Sequence, residues 1–132
     1  MAELGALLNG FRWADGGANN VAIEAATRKV GELPNDYLAV MQSHDGGEGF
    51  IGDGAYLRLW PIGDLQERNR TLEAEQLIPG VVLIGTDGAD DLYAIELATA
   101  AYLIFPAVGL SADAGEKVAE SWDGFLQALS TR

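Results

Sequence analysis

Between Leu33 and Gly47 the chain reads LPNDYLAVMQSHDGG, a short helix with chemical punctuation at both ends that runs straight into a strand-like segment. Pro34 presets the backbone angle of a first helical turn and lacks an amide hydrogen that such a turn leaves unpaired; Gly46 and Gly47 permit a left-handed stop. Between them Tyr37, Leu38 and Met41 fall on one helical face. The theme returns at Ile84-Gly85-Thr86-Asp87-Gly88 and Tyr93-Ala94-Ile95, where a buried strand breaks into a glycine and aspartate turn before the next strand.

Around these two segments the spacing of apolar residues predicts the remaining elements. Leu4, Leu7, Leu8 and Phe11 recur at helical intervals, so the first dozen residues form a short helix, followed by a loop over Asp15 to Asn20. Asn20 caps a helix from Val21 to Val30 that turns Ile23, Ala26 and Val30 inward, and Gly31 ends it. Strands over Gly49 to Ile51 and Tyr56 to Trp60 flank Gly52-Asp53-Gly54, a hairpin signal. Ile62, Leu65, Asn69 and Leu72 predict a helix from Asp64 to Glu75.

The continuous run Val81-Val82-Leu83-Ile84 predicts a central strand covered on both faces. Leu92 to Leu97 makes another, and Pro106 within Ala101 to Val108 predicts a sheet edge. Asp113 with Glu116 resembles a capping box for a closing helix whose stripe is Val118, Trp122, Phe125, Leu126 and Leu129. Gly124 inside that helix costs about 1 kcal/mol against alanine, which predicts another element close by.

Strands this closely connected exclude regular β-α-β crossovers. The expected fold is α+β, with one antiparallel or mixed sheet and helices packed mainly on one face. A chain of 132 residues supports one core. Residues 1–19 read as a helix-and-loop extension and residues 20–132 as the α+β domain.

Charge narrows the partners. Twenty carboxylates against eight Lys and Arg give a formal net charge of −12, a field that repels nucleic acid and anionic lipid and attracts basic proteins; plain solubility of an acidic surface accounts for it equally well. Cysteine is absent, which excludes disulfides and thiolate metal sites and fits a reducing compartment. No basic segment precedes the short apolar run at the amino terminus, and no apolar run reaches about 18 residues. A cytoplasmic location without membrane attachment is the expectation.

The order of motifs resembles the SUKH superfamily, which groups bacterial toxin-immunity proteins with a fungal regulator of cell-wall synthesis. Carrying the resemblance are Leu33-Pro34 with Tyr37 and Gly46-Gly47; Leu59-Trp60 with Leu65 and Asn69; Ile84 to Gly88 with Tyr93 and Ile95; and Trp122, Phe125 and Leu126. Together they span Asn20 to Leu129. The resemblance implies an α+β domain that binds another protein, often neutralising a toxin that is frequently a nuclease, and it implies no catalytic residues.

Catalytic machinery is not visible in the residues themselves. The sole histidine, His44, sits beside Asp45 with no cysteine to pair with, and one histidine does not make a multi-histidine zinc site. The serines lie outside any nucleophile elbow, and the glycine runs lack the lysine and hydroxyl of a phosphate loop. Asp87, Asp90 and Asp91 are the best metal candidates, yet they lack the closing glutamate of an EF-hand loop and read as a solvated turn. No cofactor is expected.

For partner binding, Tyr56, Arg58 and Trp60 share one face of a regular strand, with Leu57 and Leu59 on the other. Either that aromatic face is exposed, ringed by Glu48, Asp53, Asp87, Asp90 and Asp91 and suited to a basic toxin, or Tyr56 and Trp60 belong to the core. The leading function is thus a non-enzymatic immunity protein. An intracellular adaptor is the alternative, and a small metal-dependent hydrolase using Asp87, Asp90 and Asp91 is the third reading.

Overall fold

A computed structural model describes residues 4–132. The order is α1 (Leu4–Leu7), β1 (Phe11–Trp13), α2 (Asn20–Val30), α3 (Asn35–Ser43), β2 (Gly47–Phe50), β3 (Tyr56–Leu59), α4 (Leu65–Thr71), α5 (Ala74–Leu77), β4 (Val81–Thr86), β5 (Asp91–Glu96), β6 (Ala101–Pro106), β7 (Glu116–Ala119) and α6 (Trp122–Ser130). The strands form one antiparallel sheet in which every strand lies beside its neighbours in sequence, β1 to β7. This is the expected α+β fold.

The core sits between the sheet and the helices α3 and α6. Tyr93 and Tyr102 stand on the inner face, and the Phe125 ring meets them at 5.5 and 5.0 Å. Asp36, in the first turn of α3, ties this layer together: its carboxylate accepts from Tyr102 Oη–H at 3.0 Å, from Trp122 N–H at 2.6 Å and from Tyr37 N–H at 2.7 Å. One carboxylate therefore joins α3, β6 and the start of α6. On the outer face of β6 the Phe105 ring is covered by the segment leading into β7, where a Cβ at Gly115 would lie 2.6 Å from it.

Several boundaries differ from expectation, each for a local reason. Of the helix expected over the first dozen residues, residues 1–3 lie outside those described, and Phe11 belongs to β1, paired with Gly49. Its ring packs edge-on against Trp13 at 4.6 Å, a same-face pair two residues apart. Helix α2 is capped by Asn19, not Asn20, because Asn19 Oδ1 accepts from Ala22 N–H at 2.9 Å. Pro34 occupies the cap of α3 rather than its first turn, and α3 ends when His44 becomes extended; Gly46, at φ 96°, then turns the chain into β2.

The helix expected from Asp64 to Glu75 is two helices, α4 and α5, broken where Glu73 adopts a left-handed φ of 57°. Asn69 explains what α4 does. Strand β3 pairs with β4 only at Arg58–Thr86 and Leu59–Gly85, and beyond that point the Asn69 side chain replaces it, accepting from Leu83 N–H and donating to Leu83 C=O. An amide side chain thus satisfies backbone groups that a departing strand would leave bare.

Pro106 does not mark an edge strand, since β6 is flanked by β5 and β7. It sits at the end of β6, past the Tyr102 to Ile104 segment that β7 pairs, so its missing N–H costs no ladder bond. Asp113 and Glu116 form no capping box: Glu116 begins β7, and α6 starts later, capped by Ser121, whose Oγ accepts from Gly124 N–H at 3.0 Å. Val118 therefore belongs to the strand. A Cβ at Gly124 would lie 3.3 Å from Ala119 Cβ, so the close neighbour expected there is the approach to the helix itself.

Candidate functional site

The hairpin β2–β3 presents two different faces because side chains alternate along a strand. Leu57 and Leu59 are fully buried against the helices, while Tyr56 and Arg58 face outward. The register extends the outward row across four strands, Arg12 opposite Glu48, Glu48 opposite Arg58, and Arg58 opposite Thr86. Phe50 and Tyr56 form the next row, their rings edge-to-face at 5.0 Å, with Phe50 58 % exposed.

Glu48 is the hub of this surface. Its Oε2 accepts a short hydrogen bond from Tyr56 Oη–H and lies 3.5 Å from Arg58 Nη2. The Tyr56 bond, aided by Arg58 and Arg12, holds the Glu48 carboxyl below its usual range, and the same bond raises the Tyr56 phenol. From the inner face Tyr93 Oη–H donates to the Tyr56 carbonyl at 2.8 Å, which pins the strand under the site.

The acidic residues lie at one end of the sheet. Strands β2 and β4 both run toward that end, so their turns, holding Asp53 and Asp87 to Asp90, emerge side by side with the tail of β6. Asp87 is occupied locally: its Oδ1 accepts from Ala89 N–H at 2.8 Å and Asp91 N–H at 3.0 Å. Ala107 N–H donates to Asp90 C=O, joining the turn to the end of β6. Burial, then the neighbouring Asp87 charge, raises the Asp91 carboxyl. Among the described residues no group of three or more His, Asp or Glu is placed to hold a metal ion.

The structure therefore brings Glu48, Tyr56 and Arg58 into contact and places Asp87 and Asp90 in the turn that follows Thr86, the residue opposite Arg58; Asp91 shares the inner face with Tyr93, and Asp53 sits in a turn held against α1 and the end of α6. It separates Trp60. That residue follows the last residue of β3, is 5 % exposed, and lies under α4 with the Arg68 guanidinium 5.2 Å from its ring. The two alternatives for the aromatic face divide between its members, Tyr56 outward and Trp60 in the core. Sequence reasoning missed Arg12 and Phe50. Phe11-Arg12-Trp13 carries a one-in, one-out alternation, the signal for a short strand, but the helical spacing of the preceding leucines obscured it.

His44 serves packing. Its Nδ1 lies 2.9 Å from the Ala14 carbonyl oxygen and its ring stacks on Trp13 at 5.1 Å. A cleft of about 500 Å³ between α2, α4 and β4 mixes Lys29 and Arg70 with Glu73 and Glu75, with no convergent set of reactive groups. Among the described residues no helix is long and apolar enough to cross a membrane.

Taken together, a meandering sheet with one face packed on helices and an exposed row over β1 to β3 on the other makes up the α+β domain. The SMI1 / KNR4 family (SUKH-1) matches residues 17–128, and the chain belongs to that family. A search of curated proteins finds no match.

Proposed function

We propose that this chain is an immunity-type protein, which binds a toxin in the cytoplasm and blocks its active surface by steric cover. The reading rests chiefly on one observation: in a member of the SMI1 / KNR4 family, the outer face of β1 to β3 carries Arg12, Phe50, Tyr56 and Arg58 with no helix over it among the described residues. Tyr and Arg are enriched among the residues that dominate binding energy, and an aromatic cluster braced by Glu48 and Tyr93 is already ordered before a partner arrives. Trp60 supports the end of β3 from within. Asp87 and Asp90, in the turn beside the Arg58 row, form the rim, and Asp53 and Asp91 add acid at the same end of the sheet.

The rim and the net charge of −12 steer a basic toxin toward this end of the sheet. No chemistry on the toxin is required. Co-expression with the product of the adjacent upstream gene tests the proposal: growth is rescued when this chain is present and lost again with Tyr56→Ala. A product that is harmless alone, or that kills regardless, refutes it.

A further inference from the structure

The centre of the outer face has the opposite sign to the molecule around it. Of the chain's eight Lys and Arg, Arg12 and Arg58 stand in one cross-strand row, separated by Glu48 alone. Glu48 is already committed to Tyr56 Oη–H and to one nitrogen of Arg58. Among the described residues Arg12 makes no ion pair within 4 Å, and the Arg58 contact at 3.5 Å leaves most of its guanidinium donors free, with the side chain 49 % exposed. Two planar cations thus flank a carboxylate that is already engaged, beside the exposed Phe50 ring and the edge-on Tyr56 ring.

Resting on the immunity reading, we infer that the face is a two-zone interface: a carboxylate side chain of the toxin docks over Glu48 on the outward guanidinium donors of Arg12 and Arg58 that Glu48 leaves free, and its basic surroundings meet the acidic rim. A guanidinium fork takes a carboxylate in two parallel hydrogen bonds, and such a pair gains strength as the rings of Phe50 and Tyr56 and the partner exclude water. A polyanion does not fit the same place. Nucleic acid extends over the flanking turns, where Asp53, Asp87 and Asp90 repel it. A protein with one acidic group amid basic ones satisfies both zones.

The zones make opposite predictions for arginine removal, which gives the test. Binding of the upstream-gene product is measured by surface plasmon resonance for the parent, Arg12→Ala, Arg58→Ala and Asp53→Asn, with circular dichroism melts to verify folding. Arg12→Ala and Arg58→Ala each weaken binding about tenfold through faster dissociation, and an alanine scan of the toxin's Asp and Glu finds one position whose effect is non-additive with theirs. Asp53→Asn slows association and flattens its salt dependence.

A uniformly basic toxin surface gives the reverse, since deleting a cation then tightens binding. Tighter or unchanged binding of both arginine variants, or no coupled carboxylate on the toxin, overturns the inference while rescue of growth leaves the immunity reading intact. Failure of the parent to bind the product overturns both.

Discussion

Asp36 connects places far apart in the chain with few atoms. Its two oxygens receive Tyr37 N–H, Tyr102 Oη–H and Trp122 N–H, so its removal strands a buried phenol and a helix-end amide at once. An unsatisfied buried donor costs about 1–3 kcal/mol, and Asp36→Ala is expected to lower stability by roughly that amount in urea unfolding. A loss below about 0.5 kcal/mol contradicts the tie. Asp91 behaves oppositely. Burial and Asp87 raise its carboxyl above the ordinary value of 3.8, so the folded state disfavours the charged form. Its neutral form is the better tolerated one; the penalty is absent at low pH and develops as pH rises through the folded value. Asp91→Asn should therefore be more stable than the parent at pH 7, with the gain fading below about pH 4. Thermal melts across that range decide it, and a gain that grows on acidification contradicts the assignment.

At the scale of elements, the interior strands were legible and the edges were not. Val81 to Ile84 and Leu92 to Leu97 carry enough continuous apolar sequence to announce buried strands, and Gly52-Asp53-Gly54 announces a hairpin. β1 and β7 span three and four residues and owe their state to the strands they lie against, which no local pattern records. The same limit applied to the site. Tyr56 and Arg58 followed from alternation within one strand, whereas Arg12 joined them only through the register of β1 on β2, and Trp60 left them because β3 ends at Leu59. Close backbone approach is what holds β1: a Cβ at Gly49 would sit 2.3 Å from the Gly10 carbonyl oxygen. Gly49→Ala is expected to cost about 1–3 kcal/mol and to expose the amides of residues 11–14 to hydrogen exchange while those of β4 to β6 stay protected. Uniform deprotection across the sheet would show instead that β1 and the centre open together.

For the molecule as a whole, a net charge of −12 is a self-repulsion that the core must overcome. Exposed charges are screened beyond about 8 Å at physiological salt, so the melting temperature at pH 7 should rise from low ionic strength to about 0.5 M sodium chloride. A flat or falling series would mean that local pairs such as Lys117–Glu120, at 2.6 Å, outweigh the global field. Under the proposed function the same screening slows capture of a basic partner, so folding and that binding draw opposite benefits from salt.

The order of the sheet has one more consequence, for the way the chain is made. Because each strand lies beside the one before it, a ribosome delivers β2 to β6 in the order in which they pair, and each hairpin has its template waiting. Helix α6 is the exception: its first amide reaches back 86 residues to Asp36. Until that helix emerges, Tyr93 and Tyr102 lack the Phe125 ring that covers them, so the nascent chain carries an open aromatic floor from the emergence of these two tyrosines until its last helix is free.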